Sequence, residues 1–165
     1  MNIKQDIIDK INHYHKIIIH RHIRPDMDAI GSQYGLYLTI KENYPQKEVY
    51  VVGDINDMVY LAQMHEIHDD IYQDALVIIT DVSVKKLISD DRYPLGKELI
   101  IIDHHQNDTD IEKVDIFYKD PTFSSASEMI IDLIKTFGLR VSPEAATYLY
   151  GGMVTDTGRF LYLNQ

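Results

Sequence analysis

The chain has 165 residues, a formal net charge of −10 and no cysteine. This length predicts one domain with a substantial core, and the lack of cysteine excludes disulfides and thiolate metal sites, so that any metal would be bound by His, Asp or Glu. The acidic net charge argues against a long nucleic-acid groove, which would need a basic surface. We expect a cytoplasmic protein, because the sequence shows neither a signal peptide nor an apolar run approaching the ~20 residues of a membrane span.

Strand and helix patterns alternate along the first two thirds of the chain. The predicted elements, in chain order, are an amphipathic N-terminal helix, strand Lys16–His20, helix Ala29–Asn43, strand Glu48–Gly53, a short helix from about Asp57 to Met64, strand Ala75–Thr80, a brief helix near Val84–Ser89 and strand Glu98–Ile102. The β-branched runs III, LVII and LIII are typical of parallel strands buried on both faces. This alternation predicts a doubly wound α/β fold, with a mainly parallel sheet and helices on both faces.

The last third predicts one edge strand followed by two helices. Alternating apolar residues indicate a strand over Val114–Tyr118. The Ser124-Ser125 pair offers N-caps for a helix that runs through Phe137 and ends at Gly138. Its apolar stripe is far more typical of core packing than of a chemical site. Ser142 caps a final helix, with Pro143 at its first position, that runs towards Asp156.

Chemically active residues follow four of the apolar runs. Since residues just beyond the carboxyl ends of parallel strands converge on one crevice, we expect these side chains to meet. Carboxylates and imidazoles at one place are suitable ligands for a pair of divalent cations. The sequence therefore predicts a two-metal phosphoesterase site. The candidate residues are His22, Asp26, Asp28, Asp81, Asp103, His104, His105 and Asp156.

Together these segments resemble the motifs of the DHH phosphoesterase family. HIRPDMDAIGS is similar to the family's first motif, and Asp103-His104-His105 to the triplet that names the family. Asp81 and the TDTG run at residues 155–158 match the other two motifs in order and approximate spacing. Each motif alone occurs by chance, but all four in order are specific. Within the family, the first motif most resembles the bacterial nanoRNase/3′-phosphoadenosine-5′-phosphate phosphatase branch.

The resemblance implies a role for each candidate residue. His105 would contact the phosphoryl group or act as a general acid, while Asp103 is either a hydrogen-bond acceptor that orients its neighbours or a ligand. Mixed carboxylate and imidazole ligands favour Mn²⁺, with Mg²⁺ or Co²⁺ as alternatives. The implied ligands are His22, Asp26 and Asp81 for one ion, and Asp28, Asp81, His104 and Asp156 for the other, with Asp81 as the bridge.

The leading functional hypothesis is a Mn-dependent hydrolase acting on short oligoribonucleotides or 3′-phosphoadenosine 5′-phosphate through a hydroxide nucleophile. Alternatives within the family are a cyclic-dinucleotide phosphodiesterase, a single-strand exonuclease and an inorganic pyrophosphatase; outside it stands a catalytically silent metal-binding scaffold. The resemblance also implies a C-terminal substrate-binding domain of the DHHA1 type, with a GGGH-type motif. Residues 1–165 would then form the metal-binding catalytic domain of a longer protein, weakly active alone. A short RNA or nucleotide phosphate is the expected partner, and a homodimer is allowed.

A few further polar residues have two interpretations. Arg24 and Arg159 either contact substrate phosphate, for which Arg is well suited, or form structural ion pairs. The histidine pair of HEIHDD, His65 and His68, has zinc-compatible spacing, but the favoured interpretation is a solvated helix end. His20 is expected to pack or to form a hydrogen bond on its strand.

Overall fold

The computed structural model describes residues 2–55 and 62–157, with side chains described as far as Thr155. Its centre is a five-stranded sheet in the order β2-β1-β3-β4-β5, in which all neighbouring strands are parallel. Since β2 and β3 flank β1 on opposite sides, the strand order changes direction at β1, and ligands bind at such a point in open parallel sheets. The strands are β1 Lys16–His20, β2 Glu48–Val51, β3 Leu76–Thr80, β4 Glu98–Asp103 and β5 Ile116–Lys119.

Helices cover both faces of the sheet, but they differ in kind. One face packs against four α-helices, namely α1 Ile3–His13, α2 Met27–Asn43, α3 Ala126–Phe137 and α4 Pro143–Thr157. The other packs against loops and against the 3₁₀ turns Asp69–Tyr72 and Tyr93–Leu95. A further 3₁₀ turn, Lys85–Leu87, precedes Ile88, which packs on this face too. The α/β class and the parallel sheet are thus confirmed. No helix in the described part of the chain is long and apolar enough to cross a membrane.

Alternation along each strand explains the two cores. Ile17 and Ile19 of β1 pack beneath the α-helices, whereas Ile18 between them packs on the opposite face. The same division holds in β3 and β4, so both faces of the sheet centre are apolar. This agrees with the continuous β-branched runs of the sequence.

Capping residues set several helix ends. The helix predicted from Ala29 begins at Met27, because Oδ1 of Asp26 accepts a hydrogen bond from the Ala29 amide at 2.9 Å. Ser125 caps α3 as predicted, and Gly138 ends it in the left-handed conformation with φ 61°. The brief helix near Val84–Ser89 is a single 3₁₀ turn, and residues 57–61 of the predicted Asp57–Met64 helix lie outside the described residues.

The predicted helix end at HEIHDD is wrong for His65. The backbone amide of His65 donates to Val51 O at 2.8 Å, and its Nδ1 accepts from the Val51 amide at 3.0 Å. Its ring contacts Tyr37 and Tyr50 edge-on. His65 therefore satisfies backbone groups at the edge of β2, where a sheet otherwise exposes unpaired groups.

Candidate metal centre

Asp81 lies between two histidines that come from different strand ends. Its Oδ2 is 3.3 Å from His22 Nε2, and its Oδ1 is 3.4 Å from His104 Nε2. The carboxylate is buried, and Oδ1 accepts no hydrogen bond from the described residues. Since a buried oxygen without a donor is costly, a cation is a fitting partner for it.

The backbone of Asp81 also departs from ordinary strand geometry. Its φ of 68° places it in the left-handed region, which Asp tolerates better than most side chains, and its amide donates to Ile102 O at 2.9 Å. The chain therefore turns immediately after β3, at the carboxyl end of the sheet centre. Conformations of this kind are concentrated at functional sites.

His22 and Asp26 complete the first side of the centre, with His22 Nε2 3.5 Å from Asp26 Oδ1. The other ring nitrogen, Nδ1, lies 2.7 Å from Ile23 O, so it carries a proton and leaves Nε2 towards the carboxylates. Although burial opposes the charged form, hydrogen bonds to Asp26 and Asp81 raise the pKa of His22 to about 10. In the metal-free protein this imidazolium is thus the positive charge between the two carboxylates.

Asp28 and His104 form the second side, with His104 Nε2 3.7 Å from Asp28 Oδ2. The two oxygens of Asp28 accept the amides of Ser127 and Ala126 at 2.9 Å each, at the N-terminus of α3. Burial and the charge of Asp81 nevertheless raise the pKa of Asp28 well above its usual range. A cation beside Asp28 would remove that penalty.

Helix α4, which leads into the fourth motif, contacts this second side at Gly152. A Cβ atom at Gly152 would lie 2.1 Å from Ser127 Oγ and 3.2 Å from the Cα of Asp28, so α4 touches the second side only because this residue is glycine. Asp156 follows one helical turn later, but its side chain lies beyond those described, as does all of Arg159. The roles of both residues stay predictions.

Asp103 directs both of its oxygens at protein donors. Oδ1 lies 2.6 Å from His105 Nδ1, and Oδ2 accepts from Ser83 Oγ at 2.7 Å. This geometry favours the orienting role over the ligand role. Burial works against ionisation of Asp103, but the hydrogen bonds to His105 and Ser83 lower its pKa; the same bond to Asp103 raises the pKa of His105. His105 also offers a ring nitrogen within 4.8 Å of ligand atoms on Asp81 and His104.

Sequence reasoning missed the residues that support these groups. Arg21 is fully buried, and its guanidinium donates to Asp54 Oδ1 at 2.9 Å and to Asp54 O at 2.5 Å. Asp54 also accepts from Ser89 Oγ at 2.6 Å and from the Arg24 amide at 3.0 Å, so this network holds the loop that carries His22. The available signal was an arginine between two histidines at a strand end. His20 is buried as expected, between Ser89 O at 3.1 Å and Tyr72 Oη at 2.9 Å.

A cavity of about 350 Å³ opens beside the centre. His22, Asp81 and His105 line it, and so does Arg24. The arrangement can therefore hold cations between carboxylates and imidazoles and still admit a substrate from the cavity. The fold thus brings together every predicted site residue whose side chain the structure describes.

Comparison with known proteins gives a consistent assignment. Residues 16–153 match the family model described as DHH family, N-terminal domain. The chain is similar to the bifunctional oligoribonuclease and PAP phosphatase NrnA of Bacillus subtilis (strain 168), with 41% identity over 165 residues, or 98% of this chain and 52% of that protein. It is 46% identical over 157 residues to the probable bifunctional oligoribonuclease and PAP phosphatase NrnA of Streptococcus mutans, covering 94% of this chain and 50% of the relative.

A solved structure has the same fold. The exopolyphosphatase-related protein from Bacteroides fragilis matches with a TM-score of 0.81 at 28% identity, covering 96% of this chain and 51% of that one. The chain spans about half the length of the curated relatives it matches. The similarity predicted from the four motifs is confirmed.

Proposed function

This chain belongs to the DHH family, and from that premise we propose that it is the metal-binding part of an enzyme that hydrolyses short oligoribonucleotides and 3′-phosphoadenosine 5′-phosphate. Both activities stand in the names of the Bacillus subtilis and Streptococcus mutans relatives. The observation that carries the proposal is the position of Asp81, whose two carboxylate oxygens each face a histidine from a different strand end. Such a carboxylate is suited to bridge two cations.

In this proposal the centre binds two divalent cations. The first would be held by His22 and Asp26 and the second by Asp28 and His104, with Asp81 contributing to both. Asp156 joins the second set on the strength of its motif. Mn²⁺ is the preferred ion because it accepts mixed imidazole and carboxylate ligands. When bound, the pair would activate water as the nucleophile and would offset the charge of the phosphoryl group.

His105 acts on the substrate from the cavity side. Its ring is half exposed and its Nδ1 is held by Asp103, so Nε2 is the nitrogen available to a phosphoryl or leaving oxygen. The hydrogen bond to Asp103 raises the pKa of His105, which favours the protonated ring that can donate to an oxygen or attract its charge. Asp103 and Ser83 are then positioning residues, because they act through the His105 ring, whose orientation they fix.

Further substrate contacts are assigned to the two arginines and to a second domain. Arg24 lines the cavity and would contact a phosphate oxygen there; Arg159 is assigned the same role from sequence alone. The second domain expected from the resemblance would orient the rest of the substrate. Because positioning contributes several kcal/mol to catalysis, this chain alone should turn over slowly.

The proposal is tested by single-turnover hydrolysis with the chain in excess over substrate. Four compounds are compared with Mn²⁺ and with a chelator: 3′-phosphoadenosine 5′-phosphate, a ribodinucleotide, pyrophosphate and cyclic di-AMP. We expect slow, metal-dependent cleavage of the first two. Preference for pyrophosphate or cyclic di-AMP would contradict the substrate assignment, and hydrolysis that survives the chelator would contradict the metal assignment.

A further inference from the structure

The cavity beside the centre has aliphatic lining residues that have no role in the proposed hydrolysis at the metals. Besides its polar residues, the cavity is lined by Ile23, Val82, Val84 and Leu87, and these four are called the apolar wall. Leu87 is 38% exposed, so part of its side chain is free to contact a ligand. The cavity has a volume of about 350 Å³, at the low end of the roughly 300–1,000 Å³ that is typical of small-molecule sites.

This wall is fixed relative to the ligands. The Leu87 carbonyl accepts the Ile23 amide at 2.7 Å, and the Leu87 amide donates to Val84 O at 3.0 Å. An isolated antiparallel bridge joins His22 to Ile88. The apolar surface is therefore held by backbone bonds beside a proposed ligand, and a preformed surface of this kind binds without the cost of ordering a loop.

The charges around the cavity argue against a purely inorganic occupant. Among the described residues that line it, Arg24 is the only lysine or arginine, whereas Asp81 and Asp103 are also part of the lining. A chain of phosphates would bring several negative charges to a wall that is largely aliphatic. A planar heterocycle suits the same wall, since aliphatic side chains and a guanidinium both accept its flat face.

We propose that this cavity binds the nucleoside carried by the phosphate that is cleaved, with its base against Leu87, Val84 and Ile23. The inference rests on the proposed function, because it requires a phosphate at the adjacent centre. It assigns to this half of the enzyme a selectivity for nucleotides over inorganic phosphates.

The test compares two probes that share a sugar phosphate and differ in the base, 5′-AMP and ribose 5-phosphate. Their dissociation constants are measured by calorimetry on the Mn²⁺-equilibrated chain. We expect AMP to bind on the order of tenfold more tightly, because its base buries apolar surface against the aliphatic side chains. Leu87→Ser should remove this difference and leave ribose 5-phosphate binding unchanged. Leu95→Ser is the matched control, because Leu95 is 51% exposed at the end of another 3₁₀ turn and does not line the cavity.

The outcomes separate this inference from the function on which it rests. Equal binding of AMP and ribose 5-phosphate, or equal weakening of both by Leu87→Ser, overturns the nucleoside site and leaves the phosphate-binding centre standing. If neither probe shows Mn²⁺-dependent binding, the proposed function fails, and the nucleoside site fails with it. A loss of AMP selectivity in Leu95→Ser as well would also overturn the assignment to this wall.

Discussion

Asp103 Oδ1 lies 2.6 Å from Nδ1 of His105, so the first and third residues of the DHH triplet are bonded to each other. Asp103 is the last residue of β4 and His105 follows two residues later, and this contact holds the His105 ring beside the cavity. The middle histidine points to Asp81 instead, with Nε2 3.4 Å from its Oδ1. Adjacent residues thus serve two different purposes.

The first prediction concerns this contact. Asp103→Asn should lower turnover by roughly 10–100-fold, as expected when a partner that orients a site residue is weakened. Ser83→Ala should lower kcat by about 10-fold with KM unchanged, and Ser83→Thr should restore it, because Thr keeps the hydroxyl that Asp103 accepts. Steady-state kinetics of the three variants decide this. A complete loss in Asp103→Asn would make Asp103 a ligand instead.

The second prediction concerns the shared carboxylate. With Mn²⁺ at ~100 times its dissociation constant, each independent site should add about 2.7 kcal/mol of stability. For a protein of this size each kcal/mol raises the melting temperature by roughly 2–4 °C, so the shift should be several degrees. Asp81→Asn should abolish the shift. A thermal melt with and without Mn²⁺ measures it.

A matched control for this variant lies at the other end of the same strand. Asp74 precedes β3, is exposed and has φ 60°, close to the 68° of Asp81. Asp74→Asn should keep the full Mn²⁺ shift, since Asn tolerates the same backbone conformation. If both variants lose the shift, or neither does, Asp81 is not the bridge.

The third prediction concerns protons. In the metal-free protein the pKa of His22 is raised to about 10 and that of Asp28 is also raised, so both hold protons at pH 7. Since ligands bind deprotonated, Mn²⁺ should displace about one to two protons, and its affinity should fall as the pH is lowered. Calorimetry in buffers of different ionisation enthalpy gives the proton count. A count of zero at pH 7 would contradict the assignment of these ligands.

The fourth prediction concerns the support beneath His22. Asp54→Ala leaves the buried guanidinium of Arg21 without its carboxylate, which should cost about 3 kcal/mol of unfolding free energy, the low end for a broken buried pair because Asp54 is partly exposed. Mn²⁺ affinity should fall too, as the His22 loop loses its anchor. Urea denaturation measures the stability. Lys4→Ala is the control: its surface pair with Asp132 should contribute below ~1 kcal/mol.

The sequence predicted the strands and the family well because both depend on local patterns. The apolar runs around Ile18, Val77 and Ile100 mark the sheet centre whatever surrounds them. Helix α2 starts earlier than predicted, since Asp26 serves as a cap as well as a candidate ligand. That double role needs the folded turn to become visible.

Other parts of the site depend on contacts between distant segments. Ser83 and Asp103 are 20 residues apart, and Arg21 and Asp54 are 33 apart, so no local pattern announces either pair. The sequence does not distinguish the orienting role of Asp103 from the ligand role, because the directions of its hydrogen bonds decide between them.

The bonds from Asp28 to the start of α3 have a consequence for the order in which the site can be assembled. They join residues 98 and 99 positions apart, whereas the side chains of His22, Asp26 and Asp81 all lie within the first 81 residues. During synthesis from the N-terminus, the ligands of the two ions therefore leave the ribosome in two stages. A chain cut before Ser127 would carry every group of the first side, yet it could not hold Asp28 as the longer chain does.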